Sequence, residues 1–125
     1  MVKVLIVEDN QAVRESTRLV LDGAGHEVLE AVSGLRIEET VDTRKPDLVL
    51  TDTLMPGRDG VETVMALRRR HPGVRIIAMS GGGNRGNLDL AMAKQLGVSV
   101  TLTKPFEPKE LIDRVTEILA GPSPA

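Results

Sequence analysis

A small set of polar residues stands directly after the apolar runs of the chain. Glu8 and Asp9 follow the first run, Asp52 closes the third, Ser80 follows the fourth, and Lys104 lies just beyond the fifth. Three carboxylates in one place repel one another, and a divalent cation with oxygen ligands removes that conflict. A carboxylate can also act as a nucleophile and form an acyl phosphate. The set therefore predicts a Mg²⁺ site at which Asp52 accepts a phosphoryl group.

Lys104 and Ser80 fit the same chemistry. Phosphoryl transfer depends on positioning and on stabilisation of charge more than on side-chain chemistry. Lys104 can supply a cation for one phosphoryl oxygen, and Ser80 can supply a hydroxyl donor for another. Each residue alone has an ordinary explanation: a loop or helix cap for the first two acids, a local hydrogen bond for Asp52, loop chemistry for the serine and a surface position for the lysine. Their joint placement at successive strand ends favours the functional interpretation.

Short apolar runs alternate with longer amphipathic segments along the whole chain. We predict strands over residues 2–7, 26–32, 47–52, 74–79 and 98–102, and helices over 10–21, 33–41, 61–70, 87–96 and 108–119. Asp9 or Asn10 is expected to cap the first helix, Ser33 to cap the second and Gly97 to end the fourth. Five strands alternating with five helices predict an α/β fold with right-handed parallel crossovers. The carboxyl ends of such strands meet at one edge, so the polar residues above are expected to converge.

Composition narrows the class of protein. The chain has 125 residues, of which 41% are hydrophobic and 27% charged, as is typical of a single soluble globular domain. We expect that domain to span residues 1–120, with a disordered tail over 121–125. The formal net charge of -2 gives no sign of direct nucleic-acid binding. The basic cluster of residues 68–71 is expected at a solvated helix C-terminus.

Other features bear on location and on classes of site. The chain has no cysteine, so disulfides and thiolate zinc sites are excluded. No apolar run approaches the ~20 residues that a membrane span needs, and the N-terminus lacks the layout of a signal peptide. We therefore expect a cytoplasmic protein with no membrane partner, and the start at Met1 and the length favour a stand-alone protein. Phe106 is the only aromatic residue, which argues against recognition by stacking.

Four segments of the chain together resemble the response regulator receiver family of bacterial two-component signalling. They are residues 4–10 (VLIVEDN), 47–52 (DLVLTD), 55–60 (MPGRDG) and 102–106 (LTKPF), and the resemblance covers nearly the whole chain. It implies a flavodoxin-like, three-layer αβα fold: a doubly wound, five-stranded parallel sheet with strand order 2-1-3-4-5. It also implies that the Lys104-Pro105 peptide bond is cis, which a tertiary amide allows at low cost.

The resemblance assigns roles to the acidic residues. Glu8, Asp9 and Asp52 are expected to ligate Mg²⁺, with the backbone carbonyl of Leu54 as a further ligand. Asp52 is expected to take its phosphoryl group from a phosphohistidine on a sensor histidine kinase or on a histidine phosphotransfer protein. The chain would then pass the signal to a downstream protein target that the sequence does not identify. It would catalyse only its own phosphorylation and a slow dephosphorylation.

The resemblance also bears on how the signal leaves the site. Ser80 corresponds to the switch hydroxyl of the family, and Lys104 to its lysine. Thr101 stands where the family usually has an aromatic switch residue, and threonine is small and stiff at χ1. We therefore expect the output to run through the loop after Ser80 rather than through Thr101; a loop that is merely flexible in both states is the alternative. That loop begins with three successive glycines, Gly81, Gly82 and Gly83.

Two other functions could use parts of the same residue set. A phosphohydrolase with an aspartyl-phosphate intermediate, of the haloacid dehalogenase type, needs a second acidic residue two positions after the nucleophile, where this chain has Leu54. A degenerate receiver that acts only as a scaffold would not need the full set of phosphorylation residues, all of which are present. The sequence therefore favours a phosphorylation switch over both.

Overall fold

The computed structural model of the chain describes residues 2–52, 60–81, 91, 94–98 and 100–121. Within them the elements are β1 (Lys3–Val7), α1 (Gln11–Gly23), β2 (Glu27–Ala31), α2 (Ile37–Arg44), β3 (Leu48–Asp52), α3 (Gly60–Arg70), β4 (Arg75–Ser80), β5 (Val100–Thr103) and α4 (Pro108–Ala120). Residues 91, 94 and 95 are helical and belong to the predicted helix 87–96. The rest of that helix up to residue 90, the turn 53–59 and the tail 122–125 lie outside the described residues.

The five strands form one parallel sheet in the order β2-β1-β3-β4-β5, which confirms the expected topology. All five residues of the central strand β3 are buried, as a strand covered on both faces requires. The register aligns the carboxyl ends of the strands: Val7 pairs with Thr51, Asp52 with Met79, and Ser80 with Thr103. Side chains that follow β1, β3, β4 and β5 therefore emerge at the same edge of the sheet.

Helices cover both faces of the sheet, which gives three layers. Because side chains alternate along a strand, Val4 and Ile6 of β1 face one apolar layer, and Leu5 and Val7 face the other. The first layer also contains residues of α1 and α4: Leu21, Leu111, Val115 and Ile118. The second contains residues of α2 and α3: Ile37, Val41, Val64 and Leu67. None of the described helices is long and apolar enough to cross a membrane.

The second helix is the main departure from prediction, because a cap at Ser33 and a helix over 33–41 are both wrong. The Ser33 hydroxyl accepts a hydrogen bond from the backbone N–H of Leu35 at 3.3 Å, a local turn that competes with a helix start. The helix begins only at Ile37, after Arg36 in the left-handed region at φ 57°. The other predicted boundaries differ by at most two residues, which is ordinary fraying of element ends.

The basic cluster at the end of α3 is only partly the solvated terminus that the sequence predicts: Arg69 and Arg70 are exposed, whereas Arg68 and His71 are half-buried. Arg68 donates through Nη1 to the backbone carbonyl of Val74 at 2.7 Å, and burial lowers the pKa of its guanidinium. Arg70 and His71 both contact the Asp42 carboxylate of the neighbouring helix α2. These side chains therefore join α3 to the rest of the fold, because α2 offers an anionic partner where the two helices lie side by side.

Candidate functional site

Three carboxylates meet at the carboxyl edge of the sheet. Glu8 and Asp9 follow β1, and Asp52 ends the adjacent strand β3. One carboxylate oxygen from each of the three lies within 4.8 Å of the others. Glu8 and Asp52 are buried, with 1% and 6% of their surface exposed, whereas Asp9 is exposed. The convergence expected from the strand order is therefore present, with one acid open to solvent.

Lys104 reaches the same cluster from the loop after β5. Its Nζ donates to Glu8 Oε1 and, at 2.5 Å, to Asp52 Oδ2. Its backbone N–H donates to the carbonyl of Ser80 at 2.6 Å, so the end of β4 holds the lysine backbone beside the site. The Lys104-Pro105 peptide bond is cis, as the resemblance implied.

The electrostatics of the site follow from burial and from these contacts. Burial raises the pKa of Glu8, and the charge of Asp52 adds to that rise, although hydrogen bonds from Lys104 and from the N–H of Asn10 oppose it. Burial alone would lower the pKa of Lys104, but its hydrogen bonds to the two buried carboxylates outweigh burial and raise it. Three carboxylates facing one ammonium leave an excess of negative charge, which favours a bound cation.

The ligand atoms of the cluster determine which kind of cation it can bind. All three side chains offer carboxylate oxygens, and the described residues that form the cluster include no nitrogen or sulfur ligand. Hard divalent cations such as Mg²⁺ take oxygen ligands of this kind, and softer transition metals prefer imidazole or thiolate. The cluster can therefore hold a metal ion of the hard class. The backbone carbonyl of Leu54, expected as a further ligand, lies outside the described residues.

The residues expected to carry the output are only partly described. Ser80 is buried at the end of β4, and Gly81 after it is exposed, with nothing within 4 Å of the position that a Cβ would take. Thr101 is half-buried in β5, opposite Ala78 of β4. Gly82 and Gly83 lie outside the described residues. The structure thus places Ser80 beside the lysine loop, and the switch roles of Ser80 and of the glycine loop stay predictions.

Two residues that contact Glu8 were not identified as site residues from the sequence. Asn10, taken there only as a possible helix cap, also donates its backbone N–H to Glu8 Oε2 at 3.2 Å. Arg14 of α1 donates through Nη1 to the backbone carbonyl of Glu8 at 2.9 Å. Neither contact has a signal in residue types and spacing alone, because each uses a backbone group whose direction only the fold determines.

Comparison with known proteins agrees with this arrangement. Residues 4–116 match the family described as the response regulator receiver domain. The chain is 33% identical over 118 residues to sporulation initiation phosphotransferase F of Bacillus subtilis, and the match covers 94% of this chain and 93% of that protein. It is also 33% identical over 123 residues to the phosphate regulon transcriptional regulatory protein PhoB of Pseudomonas aeruginosa, which covers 97% of this chain.

The chain spans only 53% of the length of PhoB, and about half the length of several other curated relatives. Among solved structures, the chemotaxis protein CheY4 of Vibrio cholerae matches with a TM-score of 0.85 at 27% identity, over 94% of this chain and 98% of that one. The sheet order, the acidic edge and the family match over most of the length agree with one another. The chain belongs to the response regulator receiver family.

Proposed function

We propose that Asp52 is the residue at which this phosphorylation-dependent signalling switch accepts a phosphoryl group. The donor is the phosphohistidine of a sensor histidine kinase or of a histidine phosphotransfer protein. One observation carries the proposal: the Lys104 ammonium bridges Asp52 and Glu8 at the sheet edge, with the exposed Asp9 carboxylate beside them. The nucleophile, the ammonium that would bind the phosphoryl oxygens and the carboxylates that would hold a metal ion therefore lie together.

The transfer is a simple displacement. A carboxylate oxygen of Asp52 attacks phosphorus, the bond between phosphorus and the donor imidazole nitrogen breaks, and the imidazole leaves with the electron pair and takes up a proton. The Asp52 side chain becomes an acyl phosphate. Lys104 lies 2.5 Å from Oδ2, so its ammonium is in place to stabilise charge on the phosphoryl oxygens. Hydrolysis needs a water in line behind phosphorus, and neither Leu54 nor Gly82 offers a side chain that could hydrogen-bond such a water, so we expect it to be slow.

Glu8, Asp9 and Asp52 are the residues that would hold Mg²⁺, with the carbonyl of Leu54 as an expected further ligand. When bound there, Mg²⁺ would neutralise the charge of the transferring group. The residues themselves do the positioning: Glu8 stays fixed by Lys104 and by the N–H of Asn10, while the exposed Asp9 can adjust.

The proposal extends to how the signal leaves the site and to where the domain acts. Ser80, at the end of β4, would donate its hydroxyl to a phosphoryl oxygen, and the loop from Gly81 through Gly82 and Gly83 would change conformation with it, while the small Thr101 moves little. A cleft of about 330 Å³ lies beside Lys104 and Gly81 and is lined also by residues of α1. Residues 1–120 would form the receiver domain, acting in the cytoplasm between a phosphohistidine donor and a target protein.

The test is phosphorylation by acetyl phosphate and by a phosphohistidine donor, followed by intact-mass measurement. The wild-type chain should gain one phosphoryl group in the presence of Mg²⁺, and Asp52→Asn should gain none because an amide is a poor nucleophile. Asp47→Asn is the matched control, since it is the same change at the opposite end of the same segment and should label normally. Labelling of Asp52→Asn at wild-type stoichiometry would show that the assignment is wrong.

The same measurements separate the alternatives. A wild-type chain that takes no phosphoryl group with Mg²⁺ present would indicate a scaffold. Turnover of small phosphoesters by the wild-type chain and not by Asp52→Asn would indicate a phosphohydrolase. We expect neither result.

A further inference from the structure

We propose that Arg14 is a positioning residue for the acidic site, because its guanidinium fixes the peptide group between Glu8 and Asp9. The inference rests on the proposed function, in which these two acids hold a divalent cation. Arg14 itself touches no carboxylate of the cluster: it lies in the first turns of α1, and its contact is with the backbone of Glu8.

The Arg14 guanidinium joins two elements of the fold. Its Nη1 donates to the backbone carbonyl of Glu8 at 2.9 Å, and its Nε lies 3.3 Å from Oε1 of Glu30 on the edge strand β2. Only 14% of the Arg14 side chain is exposed. A planar guanidinium with several donors can make both contacts at once, which a lysine ammonium on a flexible chain does less well.

The Glu8 carbonyl is the point at which such a contact matters. A peptide bond is planar, so the Glu8 oxygen and the Asp9 nitrogen move as one rigid unit. On its other side the Glu8 N–H donates to the carbonyl of Ala31 at 3.0 Å, so the backbone of Glu8 is held from both directions. Arg14 supplies the second of these constraints, and that one determines the direction in which Asp9 leaves the strand.

Asp9 depends on that backbone more than the other acids do. Glu8 and Asp52 are buried and bonded to Lys104, whereas Asp9 is exposed, and its carboxylate takes part in no hydrogen bond or ion pair among the described residues. Its position near the other two carboxylates therefore follows from backbone direction. Loosening the peptide that precedes it should weaken cation binding without removing any ligand.

Arg18 provides a matched control. It lies one helical turn after Arg14, and its Nη1 contacts the other carboxylate oxygen of Glu30 at 2.5 Å. Arg18 also pairs with Asp22 at 3.3 Å and is 44% exposed. It shares the anionic partner of Arg14 and has no contact with Glu8. Loss of Arg18 therefore removes the same charge from the same helix face while leaving the Glu8 peptide in place.

The experiment measures Mg²⁺ affinity directly, by titration calorimetry and by backbone amide shifts, on the folded wild-type chain and on Arg14→Ala, Arg14→Lys and Arg18→Ala. Outer partners of metal ligands typically contribute about 10–100-fold to metal affinity, and we expect Arg14→Ala to lose about tenfold. Arg14→Lys should recover only part of the loss, and Arg18→Ala should bind as the wild type does. The Glu8 and Asp9 amide shifts should change in Arg14→Ala and not in Arg18→Ala.

A second measurement separates positioning from simple stability. The free energy of unfolding without metal is measured for each variant, and a purely structural arginine would lower it while leaving Mg²⁺ affinity of the folded state unchanged. That result would overturn the proposal. If Arg14→Ala does not fold, Glu30→Gln tests the same link, because it weakens the hold on Arg14 and should weaken Mg²⁺ binding more than Arg18→Ala does. Equal affinities in those two variants would also overturn it.

Phosphorylation of the same proteins separates a failure of the proposed function from a failure of the role of Arg14. If the wild-type chain neither binds Mg²⁺ nor takes a phosphoryl group, the proposed function fails and this inference fails with it. If the wild type and Arg18→Ala bind and label normally, while Arg14→Ala binds Mg²⁺ equally well, only the role of Arg14 is overturned. If Arg14→Ala labels slowly at low Mg²⁺ and approaches the wild-type rate at saturating Mg²⁺, the positioning role is supported.

Discussion

Replacing Asp9 by asparagine should stabilise the metal-free protein and remove most of its response to Mg²⁺. Asp9 lies within 4.8 Å of carboxylate oxygens of Glu8 and Asp52, and among the described residues its own carboxylate has no hydrogen-bonded or ion-paired partner. Without metal its charge adds to the repulsion of the cluster. Asparagine keeps the shape of the side chain and removes that charge. The Asp9 carboxylate is thus expected to lower the free energy of unfolding without metal and to raise it when metal is bound.

The magnitude follows from the charges that Asp9 faces. Two carboxylates repel it and the Lys104 ammonium attracts it, which leaves the equivalent of one repulsive pair. Two unit charges ~4 Å apart interact with about 1 kcal/mol in water and with about 4 kcal/mol at an effective dielectric constant of 20. Because Asp9 is exposed, the lower figure applies. We expect a gain of about 1 kcal/mol in the free energy of unfolding, or roughly 4 °C in Tm for a chain of this size.

The assay is urea unfolding at neutral pH with and without Mg²⁺. A wild-type chain at a Mg²⁺ concentration about 100 times its Kd should gain about 2.7 kcal/mol, so the order of stability should reverse when metal is added. Asp113→Asn is the control, because it makes the same change of charge at an exposed position on α4 away from the cluster. If Asp9→Asn is less stable than the wild type without metal, or if Asp113→Asn shows the same gain, repulsion within the cluster is not the cause.

Three further substitutions test other contacts. Lys104→Met should lower the free energy of unfolding by about 3 kcal/mol without metal, because it removes the cation that bridges two buried carboxylates, whereas Lys109→Met on the surface should change little; equal losses in urea unfolding would contradict this. Lys45→Gly should raise the free energy of unfolding by about 1 kcal/mol, and Tm with it, because Lys45 ends α2 at φ 51°, in the left-handed region that glycine adopts without strain. Lys45→Ala should bring no gain. Arg75→Ala should lower the free energy of unfolding by about 1–2 kcal/mol and speed amide exchange at the end of α4, because its guanidinium binds the carbonyl of Ile118 in α4 at 3.1 Å and that of Gly121 just after it at 3.0 Å; unchanged exchange there, or an equal effect of Arg69→Ala, would count against it.

The convergence of the acidic residues was predictable because it depends on few assumptions. A buried strand such as β3 has an apolar sequence, and a polar residue that closes it, such as Asp52, must lie at the strand end. Parallel crossovers then bring successive carboxyl ends to one edge. Lys104 could be placed by the same reasoning, since it follows the last strand. Residue type and position along the chain were sufficient for these residues.

Other features depend on contacts that spacing does not reveal. The start of α2 was missed because Ser33 has two local options, a helix cap and a turn, and the turn prevails. The basic residues at the end of α3 were taken only as a solvated terminus, which missed the contacts of Arg70 and His71 with Asp42 of α2. The contact of Arg14 with a backbone carbonyl was equally hidden, since every residue has such a group and only the fold shows which one is reached.

The site combines a rigid half and an adjustable half, and the fold explains both. Glu8 directly follows β1 and Asp52 ends β3, two adjacent strands with apolar neighbours on both faces, and Lys104 bonds to both acids. Close packing leaves such strands little freedom to move. Asp9 is the first residue to leave that framework, and the peptide group before it is the one that Arg14 contacts. A cation that binds all three acids would therefore be expected to fix Asp9 against a framework already in place. The conformational entropy lost on binding the ion would come from one side chain and from the turn that carries it. Metal binding therefore need not disturb the sheet or the packing beneath it.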